Sequence, residues 1–472
     1  MTMVLGTPLV VEVAVLLFAV AALVAGLVLR DHGRPIGWIA LAGTALAFGL
    51  TFAAREGATA FGGTFVQDGL SLFVKRLVLG ATALSLLGSL TQTKPAFARR
   101  AGEYHFMLLV SIVGMLVLVS ARELVLLFVA FELMSIPLYV LAGFLKRESA
   151  ASEAALKFFL IGTVSAAVIA YGMSFVYGVT GTTELAAVPG AVADGHPLLL
   201  LGLGLILAGL GFKIAAFPFH MWAPDTYEAA STPFVAWLAV APKAAGFVVI
   251  LRLFVEGAPA LAWVPVISGL AAVTIVAGNL MAIPQRNIKR LLAYSGVAHI
   301  GYMLVGLAAL SASGVATMLF YLLAYVFGNM GAFLVVEVVS RAEGSDGVDA
   351  YRGLARRSPL LALAMLLFLL SLGGIPFVAG FWAKLYVFLA GIEQGLYVLV
   401  FIGAVLTVVA LYYYLLVARR MYIDAPERED PVPVPPLLGV AVLVCVVGIV
   451  GIGVYPRPWV EIAQRIAATL FS

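Results

Sequence analysis

Cysteine is almost missing from this chain of 472 residues: Cys445 is the only one, and it lies inside an apolar run. A single thiol excludes an internal disulfide framework and a cysteine-ligated iron–sulfur cluster within the chain. Charge is scarce as well, at 11% of residues against about 25% in a soluble domain. No lysine follows a glycine anywhere, which leaves no P-loop and no sign of ATP-driven transport. The five histidines show no pairing that suggests haem ligands on facing helices. Long polar segments are absent too. The two longest, about 341–358 and 423–436, are each under 20 residues, too short to fold into a domain, so water-side chemistry belongs to partners. The net charge of +4 is spread over short loops and is no nucleic-acid footprint.

What is present is hydrophobic sequence, 63% of the chain. Apolar runs of about 20 residues are the mark of membrane-crossing helices, and they recur from end to end. Fourteen spans are expected, near 8–29, 36–54, 66–91, 104–120, 122–145, 153–180, 197–221, 232–256, 260–283, 291–310, 314–340, 358–390, 395–418 and 435–455. The first follows no basic segment, since the first cation is Arg30. It is too long for a signal peptide and is expected to stay as a helix. The final stretch, 459–472, reads as a short interfacial helix.

The cations test this count. With the N-terminus outside, seventeen Lys and Arg fall in inner loops and five (Arg55, Arg122, Arg252, Arg457, Arg465) outside. That asymmetry follows the positive-inside rule. Both termini are therefore expected on the outer side.

Spans seven and twelve are interrupted. One holds Gly211-Phe212-Lys213-Ile214-Ala215-Ala216-Phe217-Pro218-Phe219-His220; the other holds Gly373-Gly374-Ile375-Pro376-Phe377-Val378-Ala379-Gly380 and then Lys384. A broken helix is tolerated in lipid only where protein or a hydrated cavity surrounds it. Two such spans in corresponding places point to a transport site built from inverted repeats. They lie an odd number of spans apart and so start from opposite sides. Two inverted five-helix repeats follow, 104–256 and 260–418, each with its broken helix in fourth place. The fold class expected is an all-α polytopic membrane protein.

Glu132, Lys157, Lys213, Lys243 and Lys384 lie within these apolar spans. Each such charge costs about 2.5–3.5 kcal/mol at the bilayer centre, and such residues normally pair, face the bundle interior and mark ion or proton routes. Glu132 is near mid-membrane in span five, and Lys157, at the start of span six, is its natural partner, although from there it could also snorkel to the interface. Lys213 and Lys243 cannot easily snorkel; Lys384, nearer the edge of its span, more readily can. A second charge ~10 Å away at an effective dielectric of ~20 is worth about 1.7 kcal/mol, so moving one charge in such a row shifts the next site's proton affinity roughly tenfold. His220 could bridge Lys213 to the inner side, and His299 could bridge toward Lys384, although a lone histidine on an apolar helix is more often a hydrogen-bonded core residue. Lys75 and Arg76 read as packed at the edge, and Tyr412-Tyr413-Tyr414 as packing or an interface belt.

Taken together, these runs resemble a known family. The segment from Gly211 to His220, continuing Met221-Trp222-Ala223-Pro224-Asp225-Thr226-Tyr227-Glu228, resembles the signature of the N subunits of respiratory complex I, the proton-pumping NADH:quinone oxidoreductase. Further matches are Phe131-Glu132-Leu133, Glu153-Ala154-Ala155-Leu156-Lys157-Phe158-Phe159, Asn287-Ile288-Lys289-Arg290-Leu291-Leu292-Ala293-Tyr294-Ser295 and Ala379-Gly380-Phe381. Phe219-His220-Met221-Trp222 and Ala241-Pro242-Lys243 look like the N type rather than the related L or M. One departure is Glu228-Ala229-Ala230-Ser231-Thr232-Pro233, where the family usually shows Glu-Gly-x-Pro-Thr-Pro. The resemblance implies a membrane-arm subunit that translocates protons while redox chemistry proceeds elsewhere. Glu132 and Lys157 would couple to a neighbour, Lys213 would be the central carrier, Lys243 would join two half-channels, and Lys384 would pass the proton on, with His220 and His299 in support. It implies no cofactor in this chain, with FMN, iron–sulfur clusters and quinone in partner subunits. The expected neighbours are M-type and K-type subunits and lipid, in the bacterial inner membrane. The alternative is a subunit of a multi-subunit cation/proton antiporter.

Overall fold

Almost every apolar run becomes a helix. The computed structural model describes residues 7–29, 32–92, 95–144, 149–193, 195–256 and 263–471. Arg30, Lys94, Lys146 and Arg147, four of the inner-loop cations counted above, lie outside the described residues.

In chain order the helices are α1 (Val10–Val28), α2 (Gly33–Ala53), α3 (Gly69–Ser89), α4 (Ala101–Leu118), α5 (Leu124–Ala142), α6 (Ser149–Thr180) and α7 (Pro197–Ile214). Then come α8 (Trp222–Ala229), α9 (Thr232–Leu238), α10 (Ala241–Leu251), α11 (Trp263–Ala282), α12 (Ile288–Ala308) and α13 (Ala312–Glu343). The last are α14 (Pro359–Gly373), α15 (Ala379–Glu393), α16 (Tyr397–Tyr422), α17 (Pro436–Val454) and α18 (Arg457–Ala468). A small hairpin, β1 (Ala58–Ala60) with β2 (Phe65–Gln67), closes antiparallel between α2 and α3.

Among the described residues thirteen spans are long and apolar enough to cross a membrane. The fourteenth expected span, 358–390, is divided into α14 and α15, 15 residues each. At 1.5 Å per residue each reaches about 22 Å, short of a hydrocarbon core of about 30 Å. The chain is thus an all-helical, multi-pass membrane protein.

Both expected breaks are present. After Ile214 the backbone turns through Ala215 (φ 61°), and after Gly374 (φ 83°) through Phe377 (φ 74°). Ala215 and Phe377 carry a Cβ, and the left-handed region costs such residues about 1–2 kcal/mol. Span eight, expected to be continuous, is interrupted as well. α9 ends at Leu238, α10 begins at Ala241 ahead of Pro242, and a π-helical turn, Arg252–Glu256, follows. Proline lacks the N–H that would have continued the helix.

Two compact units result. Unit 1 comprises Met1–Ile214, Ala229–Phe234 and Ala241–Leu261; unit 2 comprises Ala215–Glu228, Val235–Val240 and Ala262–Ser472. Inside unit 1, α10 is buried along its whole length. Inside unit 2, α12 and α13 are almost wholly buried. The peripheral spans α1, α6 and α17 bury between a third and two fifths of their residues and leave apolar side chains outward, as a lipid or protein neighbour requires.

Candidate proton-transfer sites

In unit 1 the site grows from α7 and α5. Lys213 is the penultimate residue of α7, where a cation is favoured by the helix C-terminus. Its side chain is 2% exposed. Its ammonium donates to Ser135 Oγ at 2.8 Å, and Ser135 Oγ donates on to Phe131 O at 2.6 Å. The same ammonium stands 5.2 Å from the centre of the Phe131 ring. Glu132, between these contacts on α5, is half-buried. Its Oε1 is buried with no hydrogen-bond partner among the described residues, and the Glu132 and Lys213 charges act on each other.

Lys157 sits differently from the sequence reading. Its ion pair is with Glu153, four residues earlier on α6, at 2.8 Å, and its side chain is 49% exposed. A one-turn spacing on a single helix brings these two together without tertiary packing. A cation whose charge acts on Glu132 is Lys213. Lys243 is 1% exposed on α10. One turn on, Gly246 packs against α7: a Cβ there would lie 3.7 Å from Lys213 Cγ. Residues three apart share a helix face, so Lys243 lies on the side of α10 that covers the Lys213 stem.

In unit 2 the break itself makes the site. Lys384 on α15 is 4% exposed, and its ammonium donates to Leu372 O at 2.9 Å and Gly373 O at 3.3 Å. These carbonyls end α14, where no further turn uses them. Gly374 permits the approach, because a Cβ there would lie 2.9 Å from Lys384 Cδ. The ammonium also lies 4.8 Å from the Tyr302 ring centre. Around it runs a hydroxyl network. His299 Nδ1 bonds Tyr321 Oη at 2.8 Å and its Nε2 bonds Tyr414 Oη at 3.3 Å; Tyr414 Oη in turn bonds Ser295 Oγ. Tyr302 Oη accepts from Asn279 and from Thr407, both at 3.3 Å, and Tyr413 donates to Asn279 at 3.1 Å. His299 is therefore a hydrogen-bonded node. Tyr413 and Tyr414 belong to this network, and only Tyr412, 57% exposed, faces outward as a belt residue would. His220, in the same unit, stacks on Phe217 at 5.3 Å and faces Tyr294 at 6.1 Å. Its Nδ1 is buried without a hydrogen-bond partner among the described residues.

The sequence reading missed two ionic groups. Lys75 is fully buried and paired with Glu12 of α1 at 2.6 Å. Arg252, counted above as an outer-loop cation, is 1% exposed. It binds both Asp68 oxygens at 3.0 Å, Glu256 at 3.3 Å and Val119 O at 2.7 Å. Arg122 joins Asp68 at 2.8 Å and also pairs with Glu256. The signal available for this group was Asp68 three residues before Ser71, a capping box at the start of α3. Among the described residues no group of three or more His, Cys, Asp or Glu is placed to hold a metal ion.

Comparison with known proteins agrees with this architecture. The family model for the NADH:quinone oxidoreductase/Mrp antiporter transmembrane region matches residues 121–410. The NADH-quinone oxidoreductase subunit N of Moorella thermoacetica is 42% identical, with 98% of each chain covered. That of Heliobacterium modesticaldum is 45% identical over 86% of each. A chain of respiratory complex I from Thermus thermophilus superposes with a TM-score of 0.83 at 35% identity, covering 96% of this chain and 99% of that one. A chain of the Mrp complex from Dietzia sp. shares the fold, with a TM-score of 0.84 at 22% identity over 98% of each chain. The chain belongs to the NADH:quinone oxidoreductase/Mrp antiporter transmembrane family, and its near full-length relatives group it with the N subunits of NADH-quinone oxidoreductase.

Proposed function

We propose that this chain conducts protons across the membrane as the N subunit of an NADH:quinone oxidoreductase, driven by redox chemistry in other subunits. The observation that carries this reading is Lys213: a buried ammonium held on the Ser135 hydroxyl, on which the charge of the Glu132 carboxyl acts. An amine held this way exchanges its proton as the neighbouring charge changes. Lys243, on the covering face of α10, is the next acceptor, and Lys384 the carrier of the second half. His299 and His220 extend the routes. The exposed Lys157–Glu153 pair on α6 suits contact with a neighbouring subunit.

We place the iron–sulfur clusters in partner subunits, because one cysteine in an apolar span supplies no thiolate set for a cluster, and we place FMN and quinone there with them, as the resemblance to the family implies. The chain works inside a multi-subunit membrane complex. Within it we place M-type and K-type neighbours, the bacterial inner membrane, both termini outside, and the two five-helix repeats 104–256 and 260–418.

The test is Lys213→Ala in the assembled complex, with NADH-driven proton uptake measured in inverted membrane vesicles. Coupled activity is expected to fall at least about tenfold with the complex intact. Undiminished pumping would remove Lys213 from the route.

A further inference from the structure

The first three helices carry their own buried ionic site. Lys75 of α3 and Glu12 of α1 are paired at 2.6 Å, with side chains 0% and 5% exposed. Desolvating two charges is costly, and an apolar pair of the same volume often serves stability as well or better. Cohesion of α1 with α3 is thus a weak reason for these residues. Lys75 lies six residues into α3, about 9 Å along the helix from its start. Toward that start the polar atoms continue. Lys75 Nζ donates to Gln67 Oε1 at 3.4 Å, and Gln67 Nε2 donates to the carbonyl of Arg55 at 2.9 Å. Arg55 is exposed. Besides Glu12, the charges that bear on Lys75 are Asp68 at the head of α3 and Arg252 of the π-helical turn.

We propose that Glu12 and Lys75 are a proton-exchange site, loaded at Glu12 and emptied from Lys75 toward the Arg55 loop when Gln67 swings aside. The inference rests on the proton-conducting reading above. At rest the pair is a carboxylate and an ammonium, neutral overall. A proton reaching Glu12 makes it a carboxylic acid and adds one positive charge. Lys75 then gives a proton to water on the Arg55 side, and the Glu12 proton passes to the free amine. One proton enters, one leaves, and the pair is restored.

Two variants of the whole complex test this in opposite ways. Lys75→Arg keeps the ion pair and its charges but installs a guanidinium that does not deprotonate. The double variant Glu12→Gln with Lys75→Met deletes both charges. Both are expected to assemble, with coupled NADH–quinone turnover and proton uptake lowered several-fold. Wild-type pumping in either assembled variant overturns the proposal, and loss of the complex in both overturns it in favour of a purely cohesive pair. Lys213→Ala is measured alongside. If it fails to pump while the Lys75 variants pump normally, only the Glu12–Lys75 site falls. If it pumps normally, the wider reading falls.

Discussion

Lys213 and Lys384 are both lysines at a helix break, yet they are held by different chemistry. Lys213 donates to a side-chain hydroxyl and feels the charge of the Glu132 carboxyl. Lys384 donates to two main-chain carbonyls and lies over a tyrosine; among the described residues neither lysine has a carboxylate within ion-pair distance, and only Lys213 has a carboxyl whose charge bears on it. The first arrangement is tunable, because a proton gained or lost at Glu132 changes the field at Lys213. The second is fixed, because carbonyl dipoles do not titrate. A lysine in a fixed cage responds to protons delivered through neighbouring hydroxyls, and the His299–Tyr321–Tyr414 chain supplies such groups. Unit 1 has the character of a switch and unit 2 that of a relay.

The largest effect that would break this contrast is expected at Lys384. Lys384→Arg keeps a cation on the Leu372 and Gly373 carbonyls but does not release a proton. Its coupled turnover is expected to fall on the order of a hundredfold, close to that of Lys384→Ala. Near wild-type turnover with arginine would mean that Lys384 is only a structural cation. Next comes the switch. Glu132→Gln is expected to lose several-fold more activity than Glu132→Asp, since charge rather than shape sets the field on Lys213. Equal losses, measured as NADH-driven proton uptake, would make the two lysine sites alike.

The smallest effect concerns stability. Burial alone would raise the Asp68 carboxyl, but the Arg252 charge and hydrogen bond, the Ser71 amide and the Arg122 charge outweigh it and hold it down to about 2. A carboxylate held low contributes stability that is complete above its ordinary range and is lost as pH falls through the depressed value. Between pH 3.8 and about 2 the wild-type chain is expected to lose on the order of 2 kcal/mol through this group. Asp68→Asn should start less stable and lose less over that interval. Identical acid-unfolding curves by tryptophan fluorescence would remove Asp68 as a stabilising anchor.

Much of this was legible in the residues. Long apolar runs have one solution in lipid, so the spans and the two Pro/Gly breaks were readable, and the buried lysines stood out against their surroundings. The third interruption, at Ala239–Val240, was harder: a lone Pro242 inside an apolar run marks a helix start as readily as a kink. Partner choice was not legible. Lys157 had two acids within reach of any sequence argument, Glu132 and Glu153, and helix geometry decided for the local one. Lys75 with Glu12, and Arg252 with Asp68, are separated by 63 and 184 positions, and no periodicity connects such residues. The tyrosines of the unit 2 network looked like interface residues because a phenol serves equally well at a membrane surface or in a buried hydrogen-bonded chain.

The ligands of Lys384 are backbone atoms, and this shapes how the site can be lost. Every residue carries a carbonyl, so no single substitution at position 372 or 373 deletes an acceptor. Substitution on that side of the cage acts through packing alone: a side chain would crowd Leu411 at Gly373 and Lys384 at Gly374, and Leu372 is buried. Length is the vulnerable coordinate. One residue inserted or removed in the non-helical stretch between Gly373 and Ala379 would change how α15 returns past the end of α14 and carry the lysine off its carbonyls with every ligand still present. In a set of related chains, this stretch should tolerate changes of letter far better than changes of count.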